Sequence, residues 1–167
     1  MYRFKNGKLA GWTMEHAMLR RTPLLYWIAD WAKSVIPDKP HLRPLLREFK
    51  QLRRLLRDAP VRVGCQRKNC KLPVTRMSFQ LDGVDRSLLP GALYWCDRHD
   101  PSQYPEWEED ERPVMPLQFN ALREPGYGDK NSQKAIHLAV LEGLGIEKKP
   151  SRITEEFARR YFAKLSQ

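Results

Sequence analysis

Three cysteines and one histidine stand in two close pairs. Cys65 and Cys70 lie in Gly64-Cys-Gln-Arg-Lys-Asn-Cys70, and Cys96 and His99 lie in Tyr94-Trp-Cys-Asp-Arg-His99. Each pair can form one jaw of a tetrahedral zinc site: a tight turn closes the first, and about one helical turn separates the members of the second. The alternatives are one disulfide with a spare thiol, or three unrelated core cysteines. The odd count argues against a secreted disulfide framework, and neither alternative accounts for a histidine three residues after the last cysteine. The four-residue spacer of the first pair departs from the usual two. Because all four ligands would come from the protein, with no open position for water or substrate, the expected site is a structural Cys3His centre rather than a catalytic one.

The 167 residues suffice for one ordinary domain, or for a small zinc module with helical extensions on both sides. Lys and Arg number 30 against 20 Asp and Glu, a net charge of +10 with a pI near 9.7. Such a field favours a polyanion, with nucleic acid the leading candidate. Solvated faces, an acidic membrane surface and an acidic protein partner are the other readings of the same excess. Residues 1–10 have no apolar run of the kind a secretory signal needs. The most apolar stretch, 24–36, is broken by Asp30 and Lys33, so no run reaches the roughly 18 residues of a membrane span. A cytoplasmic protein with reduced thiols is the consistent expectation, and reduced thiols are what zinc requires.

The elements that must position the four ligands follow from hydrophobic periodicity and turn chemistry. Gly7 and Gly11 suit a hairpin-like turn, Thr13 an N-cap for a helix over 14–19, and Thr22-Pro23 the start of a second helix. In that second helix Leu24, Trp27, Ile28 and Trp31 recur at helical spacing and are expected to face the core. Residues 37–40 read as a proline-bounded linker. Residues 41–58 give the clearest helix, with Leu42, Leu45, Leu46, Phe49, Leu52, Leu55 and Leu56 on one stripe. Arg43, Arg47, Lys50, Arg54 and Arg57 form a basic ridge away from it, almost without acidic residues to balance it. Short strands are expected over 61–63, 73–81 and 92–95. The acidic, proline-rich stretch 102–111 and the loop 120–130 read as connectors. Ser132 and Thr154 are expected to cap two closing helices; Gly145 should stop the first, and Phe157, Tyr161, Phe162 and Leu165 should form the packing face of the second. His137 reads as a surface or packing residue. The predicted fold is α+β, a small Cys3His zinc ribbon with antiparallel strands flanked by N-terminal and C-terminal helices. Five segments are expected: 1–36, 41–58, 61–101, 102–131 and 132–167.

The N-terminal pattern, Gly7-Lys8 with Gly11, then Thr13-Met-Glu15, then Pro23-Leu-Leu-Tyr-Trp-Ile28, resembles the small module at the C-terminus of exonuclease X relatives and of related short bacterial proteins. The resemblance covers about the first thirty residues. It implies an accessory, nucleic-acid-contacting element rather than a nuclease, with Lys5, Lys8 and Trp12 at or near a phosphate or base. Trp12 capping the module's small core is the competing role. The order of knuckle, strand pair and aromatic strand ending in Cys96-Asp-Arg-His99 looks like many small bacterial and phage zinc ribbons.

Arg67, Lys68, Lys71 and Arg76, with Arg62 and Arg98 nearby, surround the first jaw, a second patch suited to phosphate or a base edge. Tyr127 between glycines could stack on a base. No glycine-rich phosphate loop, no nucleophile with a matched base and no catalytic metal spacing is present, so an enzyme is not expected. A basic, non-catalytic zinc-finger protein of this size is similar in kind to the zinc-finger subunits of bacterial RNA-guided complexes, notably the type IV CRISPR effector of antiviral defence. That likeness implies a subunit contacting DNA that flanks the target, with DNA or RNA and other subunits as partners and no small-molecule substrate. A phage or plasmid adaptor that binds an acidic host protein is the competing class.

Overall fold

A computed structural model describes residues 2–79, 91–104, 114–117 and 130–167. The fold is α+β, helix-rich, with a small antiparallel sheet carrying the Cys3His cluster. The chain divides into two compact units: residues 1–59 with 148–167, and residues 60–147. The two closing helices therefore fall in different units. The connector readings over 105–113 and 118–129 lie outside the described residues.

The first unit is helical. Residues 3 and 13 pair as an antiparallel bridge around Gly7 and Gly11, whose φ of 77° and 82° fits the turn the glycines predict. Helix α1 (Met14–Arg20) starts at Thr13, whose hydroxyl accepts from the His16 N–H. Helix α2 (Thr22–Val35) begins one residue earlier than expected. Arg21 is its N-cap, and Thr22 Oγ1 instead donates back to the Met18 carbonyl, joining the two helices. Helix α3 (Arg43–Asp58) follows a 3-10 turn (Pro40–Leu42). It buries Leu45, Leu46, Phe49, Leu52 and Leu56, leaving Leu55 half-buried. Helix α5 (Glu155–Leu165) is capped by Thr154, which accepts from the Phe157 N–H, and packs against α1 and α3 through Ala158 and Phe162. Phe157, Tyr161 and Leu165 are half-buried at the margin of that face.

The core face of α2 is a correction. Leu25, Tyr26, Ala29 and Ala32 are buried, whereas Trp27 is 65% and Trp31 42% exposed, with Leu24 and Ile28 half-buried beside them. Both faces of this helix are apolar, so periodicity alone cannot choose between them. Helix α2 packs against both α1 and α3, and its Tyr26 meets Phe49 of α3 edge to face at 5.4 Å.

One carboxylate in this unit is poorly placed. Glu15 Oε2 is buried with no hydrogen-bond partner among the described residues. Burial first, and then the neighbouring Glu48 carboxylate, push its carboxyl above the usual range. The folded state thus holds the Glu15 proton more tightly than the unfolded chain does. Its contribution is fully favourable below the unfolded pKa of about 4.3 and is lost as pH rises through the higher folded value. Glu15→Gln is expected to raise the Tm at pH 7 and to flatten the decline above pH 4. A variant that melts at or below the wild-type temperature at pH 7 would refute this.

In the second unit, β1 (Arg76–Phe79) pairs antiparallel with β2 (Ala92–Trp95) and with β3 (Met115–Pro116), in the order β2-β1-β3. Arg76 lies opposite Trp95, and Phe79 opposite Ala92. Residues 61–63, read as a strand, are irregular; the Arg62 N–H instead donates to the Gly143 carbonyl at 2.7 Å. Helix α4 (Lys130–Gly143) starts before Ser132 and buries Ile136, His137, Ala139 and Val140. It ends at Gly145 as predicted: with φ at 72°, Gly145 donates to Glu142 and Ile146 donates to Leu141, the paired bonds of a Schellman stop. Tyr94 ties the sheet to this helix, its buried hydroxyl donating to Glu142 at 2.6 Å.

Candidate metal centre

The irregular segment 64–75 presents Cys65 and Cys70, and the end of β2 presents Cys96. Between the two cysteines the Cys70 N–H donates to the Arg67 carbonyl at 3.1 Å. Asn69 closes that turn with φ at 62°, a left-handed conformation that asparagine tolerates better than most side chains. The Gln66 N–H donates to the Tyr94 carbonyl at 2.8 Å, which fastens this jaw to β2. The other jaw is a 3-10 turn (Asp97–His99), in which the His99 N–H donates to the Cys96 carbonyl at 3.0 Å and the two side chains meet.

The four ligand atoms lie within 4.8 Å of one another. Cys70 Sγ is 3.8 Å from Cys96 Sγ, and His99 Nδ1 is 3.7 Å from Cys65 Sγ and 3.3 Å from Cys96 Sγ. A tetrahedral ion with Zn–S near 2.3 Å and Zn–N near 2.0 Å has ligand-to-ligand edges of about 3.5–3.8 Å. The sulfur pair matches that edge, and it is far from the roughly 2.05 Å of a disulfide. All three cysteines are free thiols. The donors thus fit a closed four-coordinate site.

The two cysteines of the first jaw shift in opposite directions. At Cys70 the Leu72 backbone favours the thiolate, but burial and the neighbouring Cys96 and Cys65 sulfurs outweigh it and push the thiol up. Burial alone would push the Cys65 thiol up, but donors from Arg67, Cys96 and Cys70 outweigh it and hold Cys65 below its ordinary range. Cys96 is buried at 1% exposure, and the other three ligands are half-buried.

A polar frame surrounds the second jaw. Thr75 Oγ1 donates to Asp97, and the Arg76 guanidinium lies 3.8 Å from Asp97 and 3.6 Å from the buried Asp100. Asp100 accepts from the Ser102 N–H at 3.0 Å and holds the turn after His99. Sequence reasoning missed this frame. Asp100-Pro101-Ser102 carried a turn signal, but nothing local connects Arg76 to Asp97 and Asp100. Arg76, expected among phosphate contacts, is half-buried and occupied by these carboxylates.

The other predicted contacts fall in both units. Lys5 and Lys8 are exposed at the N-terminal turn, and Arg67, Lys68 and Lys71 are exposed around the first jaw. Trp12 is half-buried, stacked on His16 with ring centres 4.3 Å apart and with the Arg20 guanidinium over its ring, 5.0 Å from the centre. Arg43, Arg47, Lys50, Arg54 and Arg57 are all exposed along α3, where Asp58 pairs with Arg54 and Arg57. Arg43, Arg47 and Lys50 have no ion-pair partner among the described residues.

Fold and site together define an α+β protein built on a small ribbon whose Cys3His cluster can hold a metal ion. No protein-family model matches the chain, and neither a curated protein nor a solved structure is significantly similar to it. No described helix is long and apolar enough to cross a membrane.

Proposed function

We propose that this is a non-catalytic nucleic-acid-binding protein stabilised by zinc at Cys65, Cys70, Cys96 and His99. The observation that carries the nucleic-acid reading is the outward ridge of α3, five cations on one exposed helix face with Asp58 alone to balance it at one end. Guanidinium groups match phosphate oxygens in pairs, and each neutralised phosphate releases counterions. Lys5, Lys8, Arg67, Lys68 and Lys71 are further exposed cations for the same backbone. The zinc staples the ribbon and takes no part in chemistry. The setting we favour is a bacterial nucleoprotein complex, with a type IV CRISPR effector as the specific case, in which this subunit would contact DNA beside the target.

Binding of the zinc-loaded protein to DNA or RNA is expected to weaken steeply as salt rises. Arg47→Glu, Lys50→Glu and Arg54→Glu together should lower affinity at least about tenfold and reduce the salt slope by about three, with circular dichroism unchanged. Absence of salt-sensitive binding to any single- or double-stranded DNA or RNA would leave the adaptor that meets an acidic protein as the better reading.

A further inference from the structure

The two units differ in charge. Residues 1–59 and 148–167 hold 19 Lys and Arg against 7 Asp and Glu, a net of +12. Residues 60–147 hold 11 against 13, a net of −2. The whole basic excess therefore belongs to the helical unit and none to the unit with the metal cluster. The same helical unit carries the exposed stripe of α2. Trp27 and Trp31 stand one turn apart on one face at 65% and 42% exposure, with Leu24 and Ile28 half-buried beside them. Exposed Arg21 caps the helix at one end. Near the other, the Lys39 ammonium lies over one face of the Trp31 ring, 5.3 Å from its centre, leaving the opposite face for a base.

We infer that Trp27 and Trp31 form a stacking platform for the bases of single-stranded nucleic acid, with Arg21 and Lys39 beside its phosphates. The inference rests on the nucleic-acid reading above and narrows it to one strand form. Proteins that hold single strands combine a cationic track with aromatic faces on which bases stack, and every base offers such a face. A duplex keeps its bases inside the stack, so these rings would gain little from it. An apolar protein partner could cover the same stripe. A net charge of +12 and the cations beside the stripe favour a polyanion instead.

The test compares the full zinc-loaded chain with Trp27→Ala/Trp31→Ala and with Trp27→Phe/Trp31→Phe. The probes are a fluorescein-labelled oligothymidylate, an oligouridylate and a DNA duplex of the same length. The alanine pair is expected to weaken binding of at least one single-stranded probe at least about tenfold and to leave duplex affinity within about twofold, while the phenylalanine pair retains most of the wild-type affinity. Equal single-strand affinity in wild type and alanine variant would overturn the platform and leave the ridge on α3 standing. A wild-type protein that binds none of the probes would overturn both readings. Sedimentation of the same samples is expected to show no change in oligomeric state. A dimer lost only in the alanine variant, with single-strand affinity intact, would assign the stripe to a second copy of the chain and overturn the inference.

Discussion

Stripping the metal with a chelator is expected to unfold residues 60–147 and to leave the helices of the other unit protected. The purified chain should contain one zinc. After removal, amide exchange should become fast in β1, β2 and the turns around them, while α1, α2, α3 and α5 keep their slow amides. The size of the effect follows from the site. Structural zinc contributes about 10–16 kcal/mol of apparent binding free energy in small zinc folds, against a total stability of about 5–15 kcal/mol for an ordinary domain. The described part of this unit offers little to replace it: a three-stranded sheet with one two-residue strand, one helix, an irregular segment that carries the first jaw and a single 3-10 turn that carries the second. Cys96→Ser should reproduce the loss, because that ligand is buried at 1% exposure and touches both Cys70 and His99. Acid should do the same as protons displace the metal from the thiolates and imidazole. Metal content near zero, or unchanged exchange after chelation, would show that the cluster is not what holds this unit together.

Phe49→Ala should be the most damaging single change in the helical unit. Phe49 is 1% exposed on α3, which packs against α1, α2 and α5, and its ring meets Tyr26 edge to face. Truncation removes a large buried surface and leaves a cavity that three neighbouring helices can close only in part, at a cost of about 3–5 kcal/mol. For a unit of this size that corresponds to a fall in Tm of more than about 12 °C. Trp27→Ala, by contrast, removes a larger ring from an exposed position and should cost less than about 1 kcal/mol. The pair of variants decides which face of α2 is core. Equal destabilisation by both would restore the tryptophan face to the interior.

That face shows where sequence pattern stops being informative. On α3 the leucine stripe opposes a run of arginines, and one direction alone satisfies both water and core. On α2 both faces are apolar, and the face with Leu25, Tyr26, Ala29 and Ala32 is the buried one although the other carries two tryptophans. The four ligands were legible because coordination imposes short, fixed spacings on particular residue types. The carboxylates that hold Arg76 were not, since they act across a sheet edge between distant segments. The docking of α5 on α1 and α3 was equally hidden, because its amphipathic pattern states that a partner exists and not which one.

The division of the chain also sets an order of events during synthesis. Helices α1, α2 and α3 leave the ribosome early, but Ala158 and Phe162, which complete their core, are made only after the whole of residues 60–147. Residues 60–147 are thus complete while the helical unit still lacks α5. An arrest or truncation before residue 155 should therefore yield a complete ribbon joined to three helices whose apolar surface is left open to chaperones and proteases.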